Sequence, residues 1–487
     1  MRCAFVAIQS EVFMWNSQVE CLAREELEQL QLARLKAMVA YVYERVPFYR
    51  NSFEARGLAP ASLKTLKDIR HLPFTRKSDL RDNYPFGLFA LPLEKVARLH
   101  ASSGTKGKPT VVGYSKGDLD VWAEICARSL AAAGVRPGDV LHNSYGYGLF
   151  TGGMGVHYGA ERLGATVVPA SGGRTQQQIL LLQDFQARVL CSTPSYALNI
   201  AYTLDELKIS RSSLNLQIGI FGAEPWTEEF RAQIESKLKI TALDIYGLSE
   251  VMGPGVSMEC ANGANGSNGS NGSNQSNQSH GSDKASQSRR SGGLHIWEDH
   301  FLPEIVDPET GEPLEPGAEG ELVITTLTKE AIPVIRYRTG DISSLHLDKC
   351  PCGRTMVRMA RVRARLDDML IVRGVNLYPS EVEKALLQIE ELAPHYQLVL
   401  SRERALDILK IEVEVTDQLV ARWGKFEDGH IELNKLTGKI QSILKDNMGL
   451  SAKVDLLKPG SIPRSEGKAV RVVDRRADQR QEGKPVA

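Results

Sequence analysis

The sequence lacks a net charge, a long apolar run and a regular pattern of cysteines. Lys and Arg total 59 and Asp and Glu total 59, so the formal net charge is zero, and the broad basic surface of a nucleic-acid-binding protein is not expected. No apolar stretch reaches the roughly 18 residues that a transmembrane helix needs. The apolar run between Arg2 and Gln9 is too short for the core of a signal peptide. We therefore expect a protein that binds neither nucleic acid nor a membrane.

The cysteines argue against a disulfide framework. The chain has seven, which is an odd number, it is long, and we expect it to carry no export signal. Reduced thiols in a cytoplasmic protein are the simpler interpretation. One pair, Cys350 and Cys352, is separated by a single proline and suggests a pair of metal ligands.

The pattern of apolar runs predicts a large α/β domain with a β subdomain. Between residues 104 and 246, the short runs ATVVPA, ARVLCST, LQIGIFG and TALDIYG alternate with amphipathic segments such as PWTEEFRAQIESKL, where Thr227 is placed to cap a helix. Strand–helix alternation of this kind indicates a parallel sheet. After residue 293, GELVITTLT and PVIRYRTGD read as strands joined by turns, which predicts a smaller, more antiparallel β region.

A further α+β unit is predicted to begin near Asp367. DDMLIVRG reads as a strand, and Ser380 and Glu383 have capping-box spacing at the start of the helix that follows. YQLVLSRE and LKIEVEV suggest a hairpin, and HIELNKLTGKIQSILKDNM suggests a second helix. We predict an N-terminal α/β domain over residues 14–366, a C-terminal α+β domain over 367–476 and a charged tail over 477–487.

An unusual polar segment interrupts the larger domain. From about residue 261 to 292 the chain is rich in Asn, Gly and Ser, as in ANGANGSNGSNGSNQSNQSHGSDKASQSRRS, with almost no apolar residue. Such a segment cannot bury enough surface to offset the entropy lost on ordering. We predict a disordered insertion.

The densest chemical motif is ASSGTKGKPT at residues 101–110. It holds two glycines, four hydroxyls and two lysines. Glycines let backbone N–H groups curl around an anion, while hydroxyls and lysines add donors and charge. This composition suits a polyphosphate, although the spacing differs from a Walker A loop and a plain surface turn is the alternative.

Three other motifs each present one residue suited to a nucleotide. In DIYGLSE, Tyr246 can stack on a base and Glu250 can hold Mg²⁺, the alternative being a helix start with a solvated Glu. In RYRTGD, Asp341 can accept both ribose hydroxyls, unless it is an ordinary turn residue. In PRSEGK, Lys468 follows a glycine, where a lysine is usually only solvated.

In this order and at these separations the four motifs resemble those of the adenylate-forming superfamily, which contains acyl-CoA ligases, peptide-synthetase adenylation domains and luciferases. Within it the chain is similar to the phenylacetate–CoA ligase family, from MWNSQVECLAREELEQLQLARL to VRVVDRR. The matching segments include VYERVPFYR, HASSGTKGKPTVVGYS, FGAEPW, YGLSEVMGPGV, RYRTGDI and DDMLIVRGVNLYP.

The resemblance implies a two-step reaction that uses ATP, Mg²⁺ and coenzyme A (CoA). The carboxylate of an aryl acid, phenylacetate by this resemblance, attacks the α-phosphorus of ATP and releases pyrophosphate. The CoA thiol then attacks the acyl-adenylate and AMP leaves. Both steps depend more on charge stabilisation than on acid–base catalysis. The resemblance also implies a homodimer as a working hypothesis.

It further implies roles for individual residues. Lys468 would bridge the substrate carboxylate and the α-phosphate, and Glu250 would hold Mg²⁺, which makes these two the expected catalytic residues. The residues implied around ATP are Ser102, Ser103, Gly104, Thr105, Gly107, Lys108, Ala223, Glu224, Pro225, Tyr246, Gly247, Ser249, Asp341 and Arg365. The residues implied in the acid pocket are Tyr145, Phe150, Ala223, Ile245 and Pro254, of which Phe150 and Ile245 could instead be core residues.

The C-terminal domain is expected to be mobile, by the same resemblance. Asp367 matches the hinge about which it would swing, with an ordinary linker carboxylate as the alternative. One orientation would present Lys468, and the other would present Arg373 and Gly374 to CoA. A glycine at 374 makes sense because a side chain would obstruct a narrow pantetheine tunnel.

The cysteines form a second, separate constellation. Some branches of the superfamily carry a similar set as a structural zinc site, closed and four-coordinate. The expected ligands here are Cys260, His295, Cys350 and Cys352, and free thiols on loops are the alternative.

Two other functions remain open at this point. One is an enzyme that adenylates a different aryl acid, or that passes the acyl group to an acceptor other than CoA, as coenzyme F390 synthetase does. The other is a sensor that only binds nucleotide or acyl-CoA, against which the presence of Glu250, Asp341 and Lys468 argues.

Overall fold

The structure is a computed structural model. It describes residues 12–102, 109–264, 292–372, 375–403, 406–423, 431–448, 452–464 and 468–476. The strands are β1 Arg98–Ser102, β2 Thr110–Tyr114, β3 Val140–Asn143, β4 Thr166–Val168, β5 Val189–Ser192, β6 Ile218–Gly222, β7 Thr241–Leu248, β8 Gly253–Glu259, β9 Leu294–Ile296, β10 Phe301–Val306, β11 Gly320–Thr326, β12 Tyr337–Ser343, β13 Leu345–His346, β14 Arg358–Met359, β15 Ala364–Arg365, β16 Leu370–Val372, β17 Val375–Leu377, β18 Leu392–Glu403, β19 Leu406–Val415, β20 Lys453–Leu457 and β21 Val472–Asp474.

Helices precede and separate these strands. The α-helices are α1 Ser17–Glu20, α2 Arg24–Arg45, α3 Pro47–Glu54, α4 Lys77–Asp82, α5 Lys116–Ala132, α6 Gly152–Leu163, α7 Thr175–Asp184, α8 Pro194–Glu206, α9 Glu228–Leu238, α10 Ala261–Ala264, α11 Pro379–Leu386, α12 Asp417–Trp423 and α13 Ile431–Met448. Short 3₁₀ helices cover Pro60–Ser62, Leu66–His71, Leu93–Lys95, Arg211–Ser213 and Leu366–Asp368. Across the described residues, no helix is both long enough and apolar enough to cross a membrane.

The α/β prediction for the larger domain is confirmed by its central sheet. Nine strands pair in the order β13-β14-β9-β8-β7-β6-β5-β3-β4, and the run from β4 to β7 is parallel. All residues of β5 and β6 are buried, as is usual for strands covered by helices on both faces. Thr227 caps α9 as predicted, because its Oγ1 accepts a hydrogen bond from the Phe230 N–H at 3.2 Å.

The β subdomain is also present. Its antiparallel sheet has the order β10-β11-β12-β15 and brings Asp341 of β12 opposite Arg365 of β15. The strand predicted within PVIRYRTGD starts only at Tyr337. Arg336, just before it, has a φ of 46°, which lies outside the range of an extended strand.

The C-terminal unit has its own sheet and its own core. Strands β18 and β19 form the predicted hairpin, and β21 and β20 flank them in parallel. Helices α11 and α13 contribute Leu386 and Ile440 to an apolar cluster separate from that of the larger domain. A separate core allows such a unit to move as one body.

The capping box predicted at Ser380 and Glu383 is wrong. Tyr378 is the N-cap of α11, because Pro379, which lacks an N–H, takes the first helical position. The Ser380 hydroxyl donates to the Arg363 carbonyl at 3.1 Å instead. The Glu383 carboxylate accepts from the Tyr396 hydroxyl at 3.2 Å, inside the C-terminal unit.

The first four residues of the predicted disordered insertion are helical. Ala261–Ala264 form the short helix α10, with Ala261 packed against the main core. Residues 265–291 lie outside the described residues, so the prediction of disorder stays a prediction. The stems on either side are neighbours, because Met258 of β8 pairs with His295 of β9.

The boundary between the two units contains a cavity of about 340 Å³. One wall is α8 of the larger domain, including Leu198 and Asn199, and the other includes Pro394 and Tyr396 of β18. The rings of Tyr202 and His395 meet across this boundary, with 5.3 Å between centroids. The two units are therefore in contact without being densely packed.

Candidate nucleotide and acid site

The predicted site lies where the parallel strands end. Tyr145 follows β3 by two residues, Ala223 follows β6 directly, and Tyr246 is near the end of β7. Since the carboxyl ends of parallel strands meet at one edge, these residues are brought together by the sheet itself.

Close backbone contact shapes this edge. A Cβ at Gly222 would come within 2.2 Å of the Ile245 carbonyl oxygen, and one at Gly247 within 1.8 Å of the Gly253 carbonyl oxygen. Ala223 has a φ of 72°, a left-handed conformation that a residue with a side chain seldom adopts. This is local strain at the position that the sequence analysis assigned to both adenine and acid binding.

Asp341 is held in place from two sides. The Tyr246 hydroxyl donates to Asp341 Oδ2 at 2.7 Å, and Arg365 Nε lies 2.9 Å from Oδ1. Burial raises the pKa of Asp341, and the charge of Arg365 opposes that rise. The facing carboxylate of Asp341 in turn raises the pKa of Arg365. Three predicted nucleotide-binding residues thus form one network.

A second network surrounds Glu250. The Ser249 hydroxyl lies 2.9 Å from that of Thr151, at the start of α6. Lys329 Nζ donates to the Glu250 carbonyl at 3.1 Å and lies 5.0 Å from the Tyr114 ring centroid. Burial lowers the pKa of Lys329 to about 8, although the charges of Asp118 and Glu250 favour its protonated form.

Lys329 was not among the residues predicted for the site. It is fully buried, with none of its surface exposed, and it supports the backbone of the expected Mg²⁺ ligand. The available signal was a lysine inside the largely apolar segment ELVITTLTKEAIPVI, where a buried charge needs a partner.

The residues expected in the acid pocket differ in exposure. Tyr145 and Ile245 are buried, and the Tyr145 hydroxyl donates to the Ile220 carbonyl at 3.4 Å. Burial raises the pKa of Tyr145, so the hydroxyl stays neutral. The Pro254 carbonyl accepts from Trp122 Nε1 at 3.0 Å, while Phe150 remains partly exposed.

Lys468 reaches this site from the C-terminal unit. Its Nζ lies 5.5 Å from the Phe150 ring centroid. The residue keeps exposed surface, yet desolvation of its ammonium group, followed by the charge of Arg365, lowers the pKa of Lys468. Glu224 and Glu250 act in the opposite direction. The structure thus brings a cation of one unit beside the charged groups of the other.

Glu224 contacts two backbone amides, one in each unit. Its Oε1 accepts from the Ser195 N–H at 2.7 Å, and its Oε2 accepts from the Ala469 N–H at 3.0 Å. Pro225 is exposed beside it. At the predicted hinge, Asp367 Oδ2 lies 3.8 Å from Lys77 Nζ, on the surface.

Several predicted residues fall outside the described part of the chain. Ser102 ends β1, and the loop that follows it is not described. The predicted residues affected are Ser103, Gly104, Thr105, Gly107, Lys108, Arg373 and Gly374.

The four predicted zinc ligands come together in the larger domain. Ligand atoms of Cys260, His295, Cys350 and Cys352 all lie within 4.8 Å of one another, and all four residues are buried. The sulfurs of Cys260 and Cys350 are 3.6 Å apart, and Cys352 Sγ is 3.4 Å from His295 Nε2. Two sulfurs on one tetrahedral zinc, each at about 2.3 Å from the metal, would be about 3.8 Å apart, so the spacing fits.

The surroundings of the cluster also fit a metal. His295 Nδ1 lies 3.4 Å from the Met356 carbonyl, which orients Nε2 toward the thiols. Hydrogen bonds from Cys260, Cys350 and His295 lower the pKa of the Cys352 thiol. Arg354, buried in an ion pair with Glu20, adds a positive charge beside these thiols.

Comparison with known proteins identifies the family. A model of the AMP-binding enzyme family matches residues 25–327, more than half of the chain, and one of the AMP-binding enzyme C-terminal domain matches residues 374–476. The chain is 52% identical over 470 residues to the phenylacetate-coenzyme A ligase of Thermus thermophilus, a match that spans 95% of this chain and 100% of that one. The chain belongs to the phenylacetate–coenzyme A ligase family.

Solved structures of one ligase in two states allow the arrangement of the two units to be compared with that in the present chain. 2-Hydroxyisobutyryl-CoA ligase in its postadenylation state, in complex with R3-HIB-AMP, is 27% identical and superimposes with a TM-score of 0.82, covering 96% of this chain and 93% of that chain. The same ligase with 2-HIB-AMP and CoA, in its thioesterification state, is 28% identical and gives only 0.65, covering 97% and 95%. The larger domain and the C-terminal unit of the present chain are therefore arranged more as in the postadenylation state than as in the thioesterification state.

Proposed function

We propose that the protein is a phenylacetate–CoA ligase. In the first step the phenylacetate carboxylate attacks the α-phosphorus of ATP, forming phenylacetyl-AMP and releasing pyrophosphate. In the second, the CoA thiol attacks the acyl carbon, giving the thioester, AMP and a proton. The observation that carries this proposal is the 52% identity to a phenylacetate-coenzyme A ligase along the full length of that enzyme.

The geometry supports the first step. Two anionic groups, a carboxylate and a phosphate, must approach each other, so a cation between them lowers the barrier. Lys468 is that cation, beside Phe150 at the expected acid pocket. Asp341, fixed by Tyr246 and Arg365, is placed to accept the ribose hydroxyls.

Magnesium is the expected metal at the phosphates. The Glu250 carboxylate would hold it, since Mg²⁺ prefers oxygen ligands and usually shares them with substrate phosphates. The buried Lys329 fixes the main chain at Glu250 from behind. The metal would neutralise charge on the leaving pyrophosphate.

The second step requires a different arrangement of the two units. We assign Asp367 as the hinge, supported by its position between two units with separate cores. Rotation would withdraw Lys468 and present Arg373 and Gly374 to the pantetheine arm of CoA. The two states in which 2-hydroxyisobutyryl-CoA ligase was solved support such a movement.

The cluster of Cys260, His295, Cys350 and Cys352 would bind a structural zinc ion. Four protein ligands leave no open position for substrate, so its contribution would be to stability. Its role lies outside the reaction steps above.

Two further expectations stay predictions. One is a cytoplasmic location. The other is a homodimer, which light scattering at working concentrations tests, and a monomer throughout would contradict it.

The deciding experiment is pyrophosphate release with ATP and Mg²⁺ over a panel of acids, with and without CoA. The panel includes phenylacetate, other aryl acids and 2-hydroxyisobutyrate, because the solved structure compared above is a 2-hydroxyisobutyryl-CoA ligase. Release with phenylacetate, followed by CoA-dependent thioester, is the expected result. Release with another acid alone would keep the mechanism and replace the substrate. No release with any acid, from folded protein, would refute the proposal in favour of a binding-only role.

A further inference from the structure

The contacts of Glu224 differ from those expected of an adenine-lining residue. Both carboxylate oxygens are engaged by backbone amides, one at Ser195 in the larger domain and one at Ala469 in the C-terminal unit. Ala469 directly follows Lys468. The carboxylate therefore joins the body of the larger domain to the main chain beside the expected catalytic lysine.

The Ser195 contact fixes Glu224 itself. Ser195 lies in the first turn of α8, where backbone N–H groups have no partner within the helix. A carboxylate at this end is favoured by the helix dipole as well as by the hydrogen bond. One oxygen thus anchors the side chain, which leaves the other directed at Ala469.

The segment after Lys468 is also held from its own side. Arg471 Nη2 lies 3.2 Å from Glu383 Oε2, and its guanidinium lies over the Tyr396 ring, 4.4 Å from the centroid. Both partners belong to the C-terminal unit. The main chain of residues 468–471 is therefore braced by Glu224 across the boundary and by Arg471, whose partners lie in its own unit apart from the Phe230 ring of the larger domain, 5.9 Å away.

We infer that Glu224 is a positioning residue for Lys468. Its carboxylate holds residues 468–471, the lysine loop, in place only while the two units are arranged for adenylation. This inference rests on the proposed function and deepens it. When the C-terminal unit rotates, Ala469 leaves Glu224 and the hydrogen bond is lost. A hydrogen bond that forms in only one of two arrangements lowers the free energy of that arrangement and so raises its population.

The two roles for Glu224 predict different kinetics. An adenine-lining residue would contact the nucleotide both in ATP and in acyl-AMP, so its loss would weaken both steps and raise KM for ATP. A residue that secures the Lys468 loop would matter for adenylation alone and would lower kcat of that step. The half-reactions therefore separate the two roles.

The test uses the full-length Glu224→Gln variant, with Glu224→Ala as a second variant. Glutamine has the same shape, but its single amide oxygen cannot replace both carboxylate oxygens as acceptors. The matched control is Glu235→Gln, because Glu235 also accepts a backbone N–H, from Ala242 at 3.1 Å, but within the larger domain. Each protein is assayed for pyrophosphate release with ATP and acid, and for thioester formation from supplied acyl-AMP and CoA.

We expect Glu224→Gln to lower kcat of adenylation by about tenfold or more, the strength of a hydrogen bond to a charged group, with KM for ATP little changed. Thioester formation should stay at the wild-type rate or rise, which also shows that the variant is folded. Glu224→Ala should lower the rate of adenylation further and also spare thioester formation. Glu235→Gln should leave the rates of both half-reactions unchanged.

Equal loss in both half-reactions, or a rise in KM for ATP as the main effect, would overturn the inference in favour of adenine binding. Unchanged adenylation in Glu224→Gln would overturn it as well. Failure of the proposed function looks different, since wild-type protein would then release no pyrophosphate with any acid.

Discussion

Asp341 and Lys468 both belong to the predicted nucleotide and acid site, but the contacts that hold them differ in kind. Asp341 is buried in the larger domain, and its partners Tyr246 and Arg365 belong to that domain too. Lys468 sits on an exposed segment of the smaller unit and is placed by contacts that include one across the boundary.

This difference matches two tasks of the proposed site, which are to bind the nucleotide and to supply the lysine for adenylation. The nucleotide is needed in both steps, as ATP and then as acyl-AMP, so its binding groups belong on a rigid base. In the proposed mechanism the lysine is needed in one step, and a residue on a unit that moves would be withdrawn once that step is complete.

Replacing the lysine should give the largest effect. Lys468→Ala should lower adenylation by about a hundredfold to a thousandfold, because it removes the charge expected to stabilise the transition state. Thioester formation from supplied acyl-AMP should be largely spared. Lys384→Ala, which removes another exposed lysine of the same unit, serves as the control. A comparable loss in both half-reactions would contradict the assigned role.

Breaking the Cys/His cluster should act on the stability of the larger domain. Cys352→Ser should reduce bound zinc, measured by elemental analysis, and lower Tm by about 5 °C or more, since a buried metal site then lacks a ligand. Cys191→Ser, which alters another buried thiol away from the cluster, should keep its zinc. Wild-type protein that takes up no zinc would rule out the metal site.

The buried Lys329 should make the stability of the larger domain depend on pH. Its pKa is lowered on folding to about 8, so between roughly pH 8 and 10.5 the unfolded chain binds more protons than the folded one. The contribution of Lys329 to stability must therefore rise with pH through this window, by up to about 3 kcal/mol.

The pH effect is tested by comparing wild type with Lys329→Met. The free energy of unfolding of each is measured by denaturant titration between pH 7.5 and 10. The wild type should gain stability relative to the variant as pH rises. A constant difference across that range would show that the buried lysine does not change its charge there.

The exposed ion pair at the boundary should matter least. The side chains of Lys77 and Asp367 are 40% and 64% exposed, and such pairs contribute little in water. Lys77→Ala should change either half-reaction by less than about twofold. If it reproduced the loss expected for Glu224→Gln, then general contact between the units, and not the lysine loop, would control adenylation.

Much of the fold could be predicted because local patterns determine it. Strand β6, Ile218–Gly222, is an uninterrupted apolar run, and Thr227 stands where a cap is needed. The prediction failed at Ser380, where the position of Pro379 and the distant carbonyl of Arg363 outweighed the local spacing. A local sequence pattern favours one hydrogen bond, but a partner from far along the chain can form a different one instead.

The candidate site was less predictable for the same reason. The motifs indicated which residues to expect, but the Tyr246–Asp341 bond joins residues 95 apart in sequence and the Glu224–Ala469 bond joins residues 245 apart. Neither pair has a spacing that secondary structure explains. Lys329 is similar, because its partner at Glu250 becomes visible only when β7 and the segment after β11 are brought together.

The stems of the polar insertion have a consequence for protein engineering. Strands β8 and β9 pair directly at Met258 and His295, and Cys260 and His295 then meet in the candidate metal-binding cluster. The two ends are thus held together by contacts that do not depend on what lies between them, and the entropy of closing a loop grows only slowly with its length. Residues 265–291 therefore mark a permissive position, where a fluorescent reporter or an affinity module can be spliced into the chain while the candidate nucleotide site keeps its framework.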